Sequence, residues 1–103
     1  MIIGTGVDIV EIDRIRRLTE RQGDRFIRRL FTEEERRFCS RRRDPAPHYS
    51  ARFAAKEALF KALGTGWAKG VSWLDVEVQR REREGPVMIL RGEAEKQYRR
   101  LGG

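Results

Sequence analysis

Two carboxylates and a lysine stand where hydrophobic patterning would not put them. Asp8 falls in the apolar run of Ile2, Ile3, Val7, Ile9 and Val10, and Glu57 and Lys61 lie four residues apart in an alanine-rich segment. On a helix, that spacing is one turn and one face. Taken alone, Glu57 and Lys61 read as an exposed helix pair worth ~0.3–0.5 kcal/mol, and Asp8 as the mark of a strand end. The neighbourhood argues for more. Arg52, Phe53, Lys56, Glu57, Phe60 and Lys61 leave the segment no purely polar side, so some of these charges must face a cleft or another chain. If Asp8 and Glu57 converge, they can hold a hard cation such as magnesium, which keeps its waters and takes further ligands from substrate phosphates. Lys61 would then set a point charge on those phosphates. The turn Gly64, Thr65, Gly66 offers close backbone approach at a helix end, and equally an ordinary C-cap. With no P-loop pattern and no serine-histidine-aspartate arrangement, phosphate chemistry here points to a transferase that works by metal and positioning rather than a protein nucleophile.

The elements that must position these residues follow from periodicity. Residues 2–10 are mostly β-branched and read as a buried strand. Asp13 can cap a helix from Arg14 to about Arg21 with Ile15 and Leu18 inside, which sets Arg14, Arg17 and Arg21 on one outer stripe. Gly23 and Asp24 break and recap a short helix holding Phe26, Ile27 and Leu30. Thr32 and Glu35 make a capping box for the next, through Phe38. Arg41 to Pro47 is a charged, proline-bounded loop, and about Pro47 to Leu63 is the strongest helix, stopped by Gly64 and Gly66. Leu74 to Gln79 alternates apolar Leu74, Val76 and Val78 with Asp75, Glu77 and Gln79, a strand with one solvated face. A turn at Arg83 to Pro86 leads to a second strand, Val87 to Leu90. A final helix, about Glu93 to Leu101, puts Ala94, Tyr98 and Leu101 on one face. The expected class is α+β, an antiparallel sheet packed on helices, in one domain spanning residues 1–103.

The chain has 103 residues and a formal charge of +7. Nineteen of its 23 basic residues are arginine, a choice that favours forked recognition of phosphates and carboxylates. Between residues 14 and 29, Arg14, Arg16, Arg17, Arg21, Arg25, Arg28 and Arg29 face only Glu20 and Asp24, so one short stretch holds most of the net charge. Such a field steers an acidic partner, whether nucleic acid, membrane surface or acidic protein. The single cysteine, Cys39, excludes an internal disulfide and reads as a small hydrophobe on a helix. The N-terminus has no basic region before its apolar residues and reads as neither signal peptide nor anchor. With no apolar run near ~18 residues, a soluble, cytoplasmic protein is expected.

The run Arg52 Phe53 Ala54 Ala55 Lys56 Glu57 Ala58 Leu59 Phe60 Lys61 Ala62 Leu63 Gly64 Thr65 Gly66 closely resembles the signature of holo-acyl-carrier-protein synthases, the short 4'-phosphopantetheinyl transferases. Gly6 to Arg14 is similar to their other motif, and Arg25 to Thr32 fits between the two at the family spacing. The resemblance implies transfer of phosphopantetheine from coenzyme A to a serine of acyl carrier protein, with release of 3',5'-ADP. It further implies that Asp8 and Glu57 bind Mg2+, that Glu57 helps deprotonate the serine through water, and that Lys61 stabilises the pyrophosphate. Arg52 would contact the nucleotide phosphates, and Gly64, Thr65 and Gly66 would line the adenine end. Arg14, Arg21, Arg25 and Phe26 would dock the carrier's acidic helix, in a small fold that forms a homotrimer with active sites between subunits. Family members usually continue into a further strand with a serine and histidine pair, so this domain is expected to lack that strand. His48, at a helix start, does not stand in for the missing histidine.

Two other readings compete. A basic nucleic-acid-binding domain accounts for the arginines, but Phe26, Phe31, Phe38, Phe53 and Phe60 fall at helix-core spacing rather than as a stacking platform. A structural subunit with a dead site accounts for the missing strand. Coenzyme A binding that requires magnesium separates the enzyme from both.

Overall fold

The computed structural model describes residues 6–64, 72–81 and 83–103, with residues 6–10 given as backbone only. The first helix, α1, runs from Gly6 to Gln22, where a strand through residue 10 and a helix from Arg14 were expected. Strand preference is a fit to a pleated, half-buried surface and needs a neighbouring strand. Among the described residues, the two strands of the sheet pair only with each other. The backbone from Gly6 is continuous with the helix that Ile15 anchors, and residues 2–5 lie outside the described residues. Ile15 is 1% exposed and Leu18 packs against the core, so the inner face of α1 is the expected one.

Helix α2, Asp24–Leu30, follows Gly23 and buries Phe26, Ile27 and Leu30. Helix α3, Glu33–Ser40, opens on the expected capping box: Glu35 N donates to Thr32 Oγ1 at 3.3 Å, and Thr32 N donates to Glu35 Oε1 at 2.8 Å. Two orphan donors at the helix start are thereby satisfied. Helix α4, Pro45–Leu63, starts with proline in its first turn and ends at Gly64, whose φ of 67° is the left-handed C-cap that glycine adopts without a Cβ clash. Its buried stripe is Tyr49, Phe53, Lys56, Phe60 and Leu63, whereas Ala51, Ala54, Ala58 and Ala62 face outward. Small side chains therefore form an open face opposite the core.

A 3-10 turn at Trp73–Asp75 occupies the start of the expected first strand. Strand β1, Val76–Arg81, pairs antiparallel with β2, Gly85–Leu90, setting Val76 opposite Leu90 and Arg81 opposite Gly85. The expected solvated face of β1 is only partly so, because Glu77 is 4% exposed. Gln79 Nε2 donates to its carboxylate at 2.5 Å, and Arg91 lies 3.7 Å away, so the charge is carried inward with partners. Helix α5, Gly92–Arg100, buries Ala94 and Gln97. Of the face formed by Ala94, Tyr98 and Leu101, only Ala94 is buried; Tyr98 and Leu101 are 46% and 63% exposed, because α5 rests on α4 and the 3-10 turn through a narrower stripe.

The core joins α2, α4 and the turn through aromatic rings. Phe53 stacks on Trp73 at 4.8 Å, Phe60 meets Trp73 edge-on at 4.9 Å, and Phe31 lies 4.7 Å from Tyr49. Such pairs add ~0.5–1.5 kcal/mol each beyond area burial. No helix of the described residues is long and apolar enough to cross a membrane.

Candidate active site

The last three turns of α4 carry the residues expected to act on phosphate. Glu57 is half-buried, Lys61 is exposed one turn on, and Gly64 closes the helix. Glu57 makes no hydrogen bond or ion pair with any described residue, Lys61 included. The local pairing that spacing alone suggested is therefore not formed, and the carboxylate is left to other ligands. Asp8 lies in the first turn of α1, a helix that packs along α4, but its side chain lies outside the described residues, as do Thr65 and Gly66. The described donor set is thus one unpaired hard oxygen ligand, Glu57, beside one free ammonium. Those are ligand types that suit magnesium and phosphate.

Arg52, one and a half turns before Glu57, is 7% exposed. Its guanidinium lies 4.3 Å from the Phe38 ring centroid, and Arg42 sits over the same ring at 3.9 Å. Arg52 Nη1 reaches His48 O at 3.5 Å, while its Nε is buried with no hydrogen-bond partner. Burial first, then the charges of Arg42, Arg52 and Arg80, hold the His48 imidazole below the ordinary histidine value. Two cations sharing one ring, with an orphaned N–H on one of them, concentrate positive charge that an anion would offset. Arg42, Phe38 and His48 were not expected in such a group. The signal available was the run Arg41 to Arg43, read only as a charged loop.

On the arginine-rich side, Arg14, Arg21 and Arg25 are exposed. Arg14 makes a 3.5 Å pair with Glu11 and stands 5.9 Å from the Phe53 ring, whereas Arg21 and Arg25 pair with no described residue. Phe26 is 9% exposed and belongs to the core, so the face of α2 open to a partner is Arg25, Arg28 and Arg29. Arg16 is bound to Asp44, tying α1 to the loop before α4; the hydrogen bond from Arg16 draws the Asp44 carboxyl below the usual carboxylate range.

Sequence reasoning also missed the part played by Lys56. Wholly buried, its Nζ donates to Leu30 O at 2.8 Å, Glu35 Oε1 at 2.7 Å and Trp73 O at 3.1 Å. Glu35 Oε2 in turn accepts from Val78 N at 2.8 Å. Burial presses the Lys56 ammonium below the ordinary lysine value, against the pull of Glu35. Two signals were present: a lysine at a core-spaced position of α4, and the Thr32 to Glu35 box.

Residues 4–102 match the family model of the 4'-phosphopantetheinyl transferase superfamily. The holo-[acyl-carrier-protein] synthase of Solibacter usitatus is 48% identical over 102 residues, covering 99% of this chain and 82% of that protein. That of Koribacter versatilis is 47% identical over 103 residues, covering 100% and 82%. That of Desulforudis audaxviator is 51% identical over 102 residues, covering 99% and 77%. Likeness of this extent, over nearly the whole chain, places the protein in the 4'-phosphopantetheinyl transferase superfamily.

Proposed function

We propose that this protein is a holo-acyl-carrier-protein synthase: it moves 4'-phosphopantetheine from coenzyme A to a serine of acyl carrier protein. The observation that carries the reading is about half identity, along nearly the full chain, to synthases of that name. In the transfer, a bond forms between the serine oxygen and the phosphorus bearing pantetheine while the pyrophosphate P–O bond breaks. The leaving 3',5'-ADP takes the electron pair. Glu57, free of other partners, receives the serine proton through a water. Lys61, exposed one turn on, neutralises charge gathering on the pyrophosphate. Arg52 with Arg42 holds the nucleotide phosphates at the anion-ready group on Phe38, and Gly64, Thr65 and Gly66 line the adenine end. Asp8 and Glu57 would hold Mg2+, which when bound offsets the charge on the pyrophosphate. Arg14, Arg21 and Arg25 draw in the carrier's acidic helix, with Phe26 supporting α2 from inside.

The working species is a cytoplasmic homotrimer in this reading, supported by the open alanine face of α4 and by the exposed Met88, Tyr98 and Leu101. Nucleic-acid binding gains no support: Phe26, Phe31, Phe53 and Phe60 are buried and present no stacking surface. The test is mass spectrometry of apo acyl carrier protein incubated with the enzyme, coenzyme A and magnesium. Gain of one phosphopantetheine is expected with the wild type, none with Asp8→Asn or Glu57→Gln, and none after chelation. An unmodified carrier with folded wild type overturns the reading; full transfer by either variant overturns the metal assignment.

A further inference from the structure

We propose that Lys56 is a positioning residue, one that couples the exposed arginine face of α2 to Glu57, the next residue along α4. The inference rests on the transfer reading above for the role of Glu57 and of the carrier. Its physical basis is the choice of residue. Position 56 falls on the core stripe of α4 between Phe53 and Phe60, where an apolar side chain would pack without any desolvation cost. A buried ion pair seldom stabilises a fold more than well-packed hydrophobic residues of the same volume. What an apolar residue cannot do is take three directional bonds at once.

Those bonds run to three separate elements. Leu30 O is one of the carbonyls left over at the end of α2, Glu35 lies in the first turn of α3, and Trp73 O belongs to the turn that leads into β1. Glu35 extends the web through Thr32 N and Val78 N. Sliding or rotating α4 past these elements would strain all three bonds to Nζ together, in a site closed to solvent. Glu57 is one residue on and has no bond of its own to a described residue, so the fixed point nearest to it on α4 is the Lys56 ammonium. At the other end, Leu30 directly follows Arg28 and Arg29 on the short helix that also carries Arg25. An acidic helix pressing on that face bears on α2, and the Leu30 carbonyl passes the load to Lys56.

Two measurements test the coupling. In the wild type, amide hydrogen exchange is followed with and without apo acyl carrier protein. Coupling expects residues 56–61 of α4 to slow at least threefold along with α2; slowing confined to α2 overturns it. The second measurement uses Glu35→Gln, which keeps the size and an acceptor for Thr32 N while withdrawing the charge opposite Lys56 and the second acceptor, which serves Val78 N. Coupling expects kcat for carrier modification to fall at least tenfold while the KM for coenzyme A stays within twofold. A lower thermal midpoint with unchanged kcat means a merely structural pair and overturns the proposal. Should Glu35→Gln fail to fold, the exchange result on the wild type decides. A wild type that binds the carrier yet transfers nothing sinks the transfer reading alone, since exchange still reports the coupling; one that neither binds nor modifies the carrier overturns both.

Discussion

Replacing Lys56 by methionine keeps most of the stem and withdraws the ammonium, so its effect on stability isolates the buried charge. At 2.7 Å from Glu35 Oε1, opposite unit charges attract by about 6 kcal/mol at an effective dielectric of 20. Removing each ion from water costs several kcal/mol, so the pair as a whole stands near balance. The single variant is different: it leaves Glu35 buried without a cation, and Leu30 O and Trp73 O without their donor. Breaking a buried pair from one side costs ~3–5 kcal/mol, a large share of the ~5–15 kcal/mol that holds a domain folded. In urea, with a slope of ~1–3 kcal/mol per molar, the midpoint should drop by at least ~1 M with the slope unchanged. Combining Lys56→Met with Glu35→Gln removes the stranded charge. The double variant should therefore be less damaged than the sum of the singles, by about 2 kcal/mol. Additive losses, within ~0.5 kcal/mol, would refute the reasoning, because they would show that the contact contributes nothing of its own.

Glu77 is pushed up by burial, yet hydrogen bonds from Thr32 and Gln79 and the charges of Arg91 and Lys56 outweigh that and hold it below the ordinary glutamate value. A depressed carboxylate stabilises fully above its unfolded value and loses that contribution as pH falls through its folded value. Glu77→Gln should accordingly flatten the acid limb of a stability profile, and an acid limb of unchanged slope would count against the assignment. Gly92 has φ +56°, and a Cβ there would lie 2.9 Å from Asp75 Oδ1. Gly92→Ala should destabilise by at least ~1–2 kcal/mol from backbone strain alone, lowering the midpoint of thermal unfolding by about 4–8 °C per kcal/mol, and an unchanged midpoint would contradict the close approach. Cys39 is wholly buried and its thiol is raised by burial to about 11, so iodoacetamide at neutral pH should modify it only after denaturation. Labelling of the native protein at the rate of a free thiol would disprove that burial.

Much of the architecture was legible because it was local. The Thr32 and Glu35 capping box, the Gly64 stop and the hairpin of β1 and β2 each depend on residues within a few positions of one another. What was not legible depended on distant partners. Residues 6–10 are β-branched enough to read as strand, and what decides such a case is whether a strand lies alongside. Glu77 alternates as a solvated residue should, and only the placement of Arg91 and Gln79 allows it to turn inward. Lys56 looked like one charge among several on α4, because its three acceptors come from Leu30, Glu35 and Trp73, none nearer than 17 residues. Of the site, Glu57 and Lys61 were visible by type and spacing, whereas Arg42 joins Arg52 only because the loop before α4 folds it onto Phe38.

The bond from Val78 N to Glu35 Oε2 also bears on how the chain avoids self-association of the wrong kind. Among the described residues β1 pairs only with β2, and strand amides left without a partner are templates onto which a foreign segment can zip and seed aggregates. Here a carboxylate from a helix start plugs one of those amides in the middle of β1, in a segment whose valines would otherwise favour such growth. Natural sheets blunt their borders with lysine, proline or bulges; this one uses the cap of a neighbouring helix. A mutation at Glu35 would thus free a strand amide for foreign pairing during folding, besides its effect on the folded protein.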